Sequence, residues 1–228
     1  FTTASGAFRD KSFVLAADVT DADLVVISVE GKRGGGNAPS ESVVLAADVT
    51  GDTMTLSASH PAALGASFSA SSGQFTIMTP SDTDPTNETH GVWFVAGSGD
   101  NLSAGLSLPA LPSGWVYEGW VETADNGRFS TGTFTANSGQ DSSFFYSNPD
   151  VPPFPGEDFL FNAPAGVVFP LVLSGHTVTI TAEPFPDDTI APYGITVLQG
   201  SIPSGVQGGS VHALTGTSIV PSATLTIF

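Results

Sequence analysis

A chain of 228 residues allows one large β domain or two sandwich-sized ones, and its 40% hydrophobic and 12% charged residues can fill a substantial core, which excludes intrinsic disorder. Twenty-two acidic residues stand against five basic ones, and a net charge of −17 excludes nucleic acid as a partner, because phosphate binding needs clustered Lys and Arg. With no cysteine there is neither a disulfide framework nor a thiolate metal site, and no run of about 18 apolar residues calls for membrane insertion.

Glycine (26) and proline (17), with abundant Ser and Thr, predict short strands joined by turns, and helical periodicity is nearly absent. In chain order, residues 23–29 form a β-branched run of strand length, and 43–49 follow a turn-rich loop. Further strands are predicted at 53–58, 73–79, 91–96, 115–122 and 132–136, with room for a helical turn in 59–71. The stretch 150–160 is too rich in proline for a central strand. It reads as an ordered excursion pinned by Phe154, Phe159, Leu160 and Phe161, which either pack on the body of the protein or form an exposed contact patch. Strands at 177–181 and 195–202 and an alternating tail at 222–228 complete the set.

An imperfect internal repeat links these strands. Val25-x-Ile27-x-x-Glu30 matches Val178-x-Ile180-x-x-Glu183, Ala38-Pro39 matches Ala191-Pro192, and Val44-Leu45 matches Val197-Leu198. Upstream, Phe1-Thr2 and Ser5-Gly6 match Phe134-Thr135 and Ser138-Gly139 at an offset twenty residues smaller, so the second copy carries an insertion, placed at 140–175. The expected fold is all-β, an immunoglobulin-like antiparallel β-sandwich of two related units. Residues 1–51 are the partial first unit, and 52–228 the complete second one.

Candidate chemistry is sparse. His60, His90, His176 and His212 are scattered without metal-ligand spacing, and no nucleophile elbow, P-loop or dinucleotide fingerprint occurs. No enzyme is expected. Glu118 and Glu122 fall on one face of a strand, which is expected to meet solvent. Glu183 recurs as Glu30, and a residue kept in both copies is expected to serve the fold by accepting loop N–H bonds. In the loop 81–89, Asp82, Asp84 and Glu88 are hard oxygen ligands of the kind calcium prefers, while Pro85 and the missing EF-hand glycine fit a solvated acidic loop. Asp187-Asp188 is a second such candidate, and no other cofactor is expected. Asn87 and Asn101 head two glycosylation triplets, Asn-Glu-Thr and Asn-Leu-Ser.

Tyr117-Glu118-Gly119-Trp120, Gly132-Thr133-Phe134, Val178-Thr179-Ile180-Thr181-Ala182-Glu183-Pro184, Ala191-Pro192 and Val197-Leu198 together resemble the extracytoplasmic domain of RskA-type anti-sigma-K factors. The resemblance covers roughly residues 115–139 and 176–202, with a truncated echo in 1–51, and implies a small β-sandwich outside the cytoplasmic membrane. The helical sigma-binding segment and membrane helix of that family have no counterpart in these 228 residues, so the resemblance implies the fold rather than a regulatory activity.

The first copy starts at Phe1, the counterpart of Phe134, so the strand that would precede it is missing, and an incomplete sheet leaves an unpaired edge. The expectation is a non-enzymatic, extracellular or cell-surface structural protein whose partner is itself, assembling into a filament or surface layer by β-strand complementation. The assembly residues would be Phe1, Thr2, Leu225, Ile227 and Phe228. Residues 52–75 or 222–228 could instead fill the gap within the chain. The alternative function is an extracytoplasmic binding or sensor module that recognises a glycan or envelope partner through Trp93, Trp115, Trp120 or the aromatic excursion.

Overall fold

The computed structural model describes residues 21–31, 38–65, 67–97, 99, 101–125, 127–186, 189–217 and 220–227. They contain fifteen strands and no helix. In chain order these are β1 (Leu24–Ser28), β2 (Val43–Asp48), β3 (Thr53–Ser57), β4 (Ser72–Ile77), β5 (Gly91–Trp93), β6 (Val95–Ala96), β7 (Ser103–Ala104) and β8 (Leu106–Ser107). They continue with β9 (Trp115–Glu122), β10 (Arg128–Phe134), β11 (Gly156–Asp158), β12 (Thr177–Pro184), β13 (Thr196–Ser201), β14 (Val211–Gly216) and β15 (Ser222–Thr226). The excursion thus contributes only the three residues of β11, at the edge of its sheet, where its prolines are tolerated.

The first sheet has four strands in the order β1-β2-β3-β15. The second runs β10-β9-β12-β13-β14-β4-β5-β11, with β8 also on β4, and β6 and β7 form a small hairpin. Every pairing is antiparallel. The two sheets share one core: Val44, Leu45, Met54 and Leu56 of the first join Phe75, Tyr117, Val121, Val178, Ile180 and Leu198 of the second in a single apolar cluster. The fold is therefore all-β and sandwich-like, and residue 51 falls in the turn between β2 and β3 of one sheet. Full burial of Ile180 or Leu198 contributes about 1.5–3 kcal/mol each.

The sequence repeat has a counterpart in strand register. β1 pairs β2 through Val25↔Ala47 and Ile27↔Leu45, with a bulge before Ser28↔Val43. β12 pairs β13 through Val178↔Gly200 and Ile180↔Leu198, with a bulge before Thr181↔Thr196. All five residue pairs of the first hairpin map onto the second at a constant offset of 153 (25 to 178, 45 to 198), and the bulge falls at the same place. The glutamates follow suit. Glu30 accepts the Ser28 hydroxyl and the Ser40 N–H at 2.6 and 2.9 Å. Glu183 accepts the Thr181 hydroxyl, and the Tyr193 N–H at 2.9 Å. Each carboxylate closes the loop of its own hairpin, as expected for a residue that serves the fold.

The correspondence extends to two further strands, at other offsets. Ala46↔Ser57 between β2 and β3 matches Gln199↔Thr215 between β13 and β14. Leu56↔Ala223, Thr55↔Thr224 and Met54↔Leu225 match Leu214↔Gly73, Ala213↔Gln74 and His212↔Phe75. Even the flanking bonds agree: Ile227 N–H donates to Asp52 C=O and Ile77 N–H to Ser210 C=O. The sequences of these last strands, Ser-Ala-Thr-Leu-Thr-Ile from 222 and Ser-Gly-Gln-Phe-Thr-Ile from 72, share three of six residues. Both sheets thus contain the same four-strand block, β1-β2-β3-β15 and β12-β13-β14-β4. The fourth strands are crossed: β4 follows β3 but completes the second block, while β15 follows β14 and completes the first.

Candidate functional site

The two blocks differ at their edges. On β12 the edge away from β13 is covered by β9 along eight residue pairs, from Thr177↔Glu122 to Pro184↔Trp115. Among the described residues, the matching edge of β1 is unpaired. On β4 the edge away from β14 carries β5 and β8, and the matching edge of β15 is likewise unpaired among the described residues. Burial follows pairing: the six interior residues of β12 are buried, whereas β1 is half-exposed and its Leu24 is 43% accessible. β15 alternates between exposed Ser222, Thr224 and Thr226 and half-buried Ala223 and Leu225. Neither edge strand contains a charged residue, the usual protection against strand addition.

Leu225 of β15, which pairs with β3, and Ile227 just after it, both expected to take part in assembly, pack on the chain's own core. The C-terminal segment thus joins the first sheet on the β3 side, opposite β1, and does not fill the gap where a counterpart of β9 would stand. Phe1, Thr2 and Phe228 lie outside the described residues.

The other candidates sit as follows. In the loop 81–89, Asp82 accepts the Asp84 N–H at 3.0 Å and the Asn87 amide at 2.6 Å, and Asp84 accepts the Thr86 N–H and hydroxyl at 2.9 and 2.7 Å. These bonds hold both carboxyls below their ordinary range, Asp82 chiefly through Asn87 and Asp84 through Thr86. Both carboxylates thus serve the loop's own donors, and Glu88 is half-buried. Among the described residues no group of three or more His, Asp or Glu is placed to hold a metal ion. Asp187 and Asp188 lie outside them. Of the two sequon asparagines, Asn101 is exposed and Asn87 is half-buried on Asp82.

All three tryptophans are buried, so none forms a surface platform. Trp93 donates to Asp158 at 2.7 Å and Trp120 to Thr181 at 3.0 Å. Glu118 corrects the sequence reading: its face of β9 does not meet solvent. Glu118 is 5% exposed beside Trp120 and accepts the Ser130 hydroxyl, because β9 is a central strand covered on both faces. Glu122, at the strand end, is half-buried, accepts from Thr179 and pairs with Arg128 at 3.5 Å. The histidines remain apart: His60 meets Asp48, His90 the Leu171 carbonyl and His212 Ser210.

Three carboxyls that the sequence reading did not single out lie around the excursion, Glu157 and Asp158 buried and Asp141 half-buried. Asp158 is fully buried and accepts the Ser81 N–H and hydroxyl and Trp93; burial pushes it up to about 6, held back by those donors. Glu157 is fully buried and accepts the Ser147 hydroxyl; burial pushes it up to about 7. Asp141 accepts the N–H groups of Gly156 and Ser143 at 2.9 and 3.2 Å, and burial pushes it up to about 8. It lies against the β10 bulge, where Gly132 (φ 105°) has no side chain to hold it off. These groups tie the excursion to the second sheet.

The excursion's aromatic residues divide. Phe159 is buried among Phe129, Tyr146 and Phe169, with ring centroids 5.7–6.1 Å away, and Leu160 is buried with it. Phe154 is half-buried against Met78, Trp93 and Val95. Phe144, Phe145 and Phe161 are 47–60% exposed, and the first two line a shallow cleft of about 430 Å³ with Ser142, Ser143, Pro149 and Asn162.

No protein family, curated protein or solved structure matches the chain. The residues that carry the resemblance to anti-sigma-K factors fall on the neighbouring strands β10, β9, β12 and β13 and on the loop before β13. No helix among the described residues is long and apolar enough to cross a membrane.

Proposed function

We propose that this chain is a non-catalytic structural protein that works outside the cell and joins copies of itself by β-strand addition. The reading extends to its history: the two four-strand blocks are copies of one duplicated, immunoglobulin-like unit, with further strands added around the second. The observation that carries it is the outer edge of β15, unpaired among the described residues and free of charge, where the matching edge of β4 is covered by β5 and β8. A row of open N–H and C=O groups on an uncharged strand is a template for a neighbour's strand. Light scattering and negative-stain microscopy over a wide concentration range test it. Concentration-dependent assembly that Thr224→Lys with Thr226→Lys abolishes is expected, since those side chains face away from the core. A monodisperse monomer throughout overturns it.

A second reading, a binding module for an extracellular glycan or envelope partner, is favoured by one feature, the exposed Phe144 and Phe145 beside polar Ser142 and Asn162 in the shallow cleft. Binding by an unassembled protein that Phe145→Ala removes supports this reading over assembly.

A further inference from the structure

The crossing of the fourth strands is a reciprocal exchange between two matching blocks. Residues up to 77 hold β1 to β4 and residues from 177 on hold β12 to β15, yet β4 pairs with β14 and β15 with β3. Two domain-swapped subunits have this connectivity, here joined in one chain. Both places beside a third strand are filled by the same short pattern. On β4, Phe75 and Ile77 face the core, and a side chain on Gly73 would meet Leu198 and Leu214. On and just after β15, Ala223, Leu225 and Ile227 do the same, in the matching register. Nothing in that pattern distinguishes a chain's own strand from another copy's.

The two exchanged strands are held differently. β4 pairs on both edges, with β14 on one and β5 and β8 on the other, and its Phe75, Thr76 and Ile77 are buried. β15 is held by five pairs with β3, and its Ala223 and Leu225 are only half-buried. β14 and β15 lie in different sheets with five residues, 217–221, between them, so β15 leaves no hairpin when it detaches. Its departure would bare Met54 and Leu56, the buried residues of β3 opposite Leu225 and Ala223, so the place beside β3 has to be refilled.

We infer that β15 exchanges between copies of the chain, one copy's strand taking the place beside β3 of a second copy in the register it holds in its own. The exchanged strand makes the same five pairs, so the contacts given up in one molecule are regained in the other. Only the tether favours the chain's own strand, with an effective concentration of about millimolar. Exchange is therefore expected when chains refold together at comparable concentration, and not in dilute solution. The inference gives self-joining a donor segment without resting on the outer edge of β15, since strand addition there leaves β15 in its own chain.

The chain has no cysteine, so engineered thiols are the only ones. Thr55 and Thr224 are direct partners, exposed on the outer face, and residues so opposed lie within disulfide reach. The double variant Thr55→Cys with Thr224→Cys, folded in dilute solution and oxidised, is expected to close within one chain. Chains carrying Thr55→Cys alone and Thr224→Cys alone are then unfolded together in urea, refolded as a concentrated mixture, diluted and oxidised. Mixed dimers are expected at about tenfold or more over dimers of two Thr55→Cys chains, falling as the refolding concentration is lowered. Mixed dimers no more abundant than that background overturn the inference. A double variant that does not close overturns it too, since β3 and β15 would then not be partners. Addition at the outer edge of β15 gives no mixed link, because a chain's own β15 stands between its β3 and the neighbour. A folded protein that stays monomeric at every concentration removes the assembly reading and leaves this one, whereas missing mixed dimers remove only this one.

Discussion

The first and second sheets are built on the same four-strand block, yet one is a thin layer with half-exposed edge strands and the other a broad sheet whose counterparts are buried. Val25 and Ile27 of β1 have the same partners in the same register as Val178 and Ile180 of β12, and still differ in burial, because β9 and β10 flank only the second pair. Register is set within the block by alternation and loop closure. Burial, and hence stability, is set by what is added outside it.

The largest effect expected from this contrast is between matched isoleucines. Ile180→Ala should cost about 3–4 kcal/mol and Ile27→Ala about 1–2 kcal/mol in urea unfolding, because only the first is fully buried. Equal costs would mean that the two blocks are equally covered. Next come the matched glutamates. Glu183, fully buried and bonded to Thr181 and Tyr193, should cost about 2 kcal/mol when replaced by alanine, whereas Glu30→Ala, exposed on its loop, should leave the unfolding midpoint nearly unchanged.

A pH series probes the excursion, whose strand β11 pairs with β5 of the second sheet. Asp141, Glu157 and Asp158 have folded-state values raised by burial to about 8, 7 and 6. A raised carboxyl keeps its proton longer in the folded state than in the unfolded one, so its contribution is fully present below about pH 4 and is lost as pH climbs through 6 to 8. The melting temperature should therefore fall between pH 5 and pH 8.5 at constant ionic strength, and Glu157→Gln should flatten that fall. A melting temperature that rises over this range would contradict the burial of these groups. The smallest effect on stability is expected at the edge of the first sheet. Thr224→Lys with Thr226→Lys should change unfolding by less than about 0.5 kcal/mol while removing self-association.

Much of this contrast is legible in the sequence. The β9 span was expected at 115–122 and lies there residue for residue, because its aromatic and β-branched residues leave no other assignment. The recurrence of Glu30 as Glu183 pointed to a loop-closing role that their bonds bear out. What escaped was non-local. β14 was hidden behind the glycine-rich stretch 204–210, and its kinship with β3 is masked by a five-residue change of offset (46 to 199, but 57 to 215). Alternation along β9 suggested a wet face for Glu118, since a single strand does not show what will pack on each of its faces, and in the fold Glu118 is buried beside Trp120. The buried carboxyls were invisible for the same reason: Asp158 finds its donors at Ser81 and Trp93, 77 and 65 residues away.

The crossing of the fourth strands also sets a timetable for folding. Ser57 of β3 pairs with Ser222 of β15, 165 positions further along, so the first sheet cannot close on the β3 side until the last strand has left the ribosome. The second sheet borrows β4 from the early part of the chain, and neither half holds a complete set of its own. Contacts at such separation make for slow, late closure. Until their late partners arrive, β3 and β4 each expose a bare edge, so a nascent or truncated chain would be the form most exposed to aggregation.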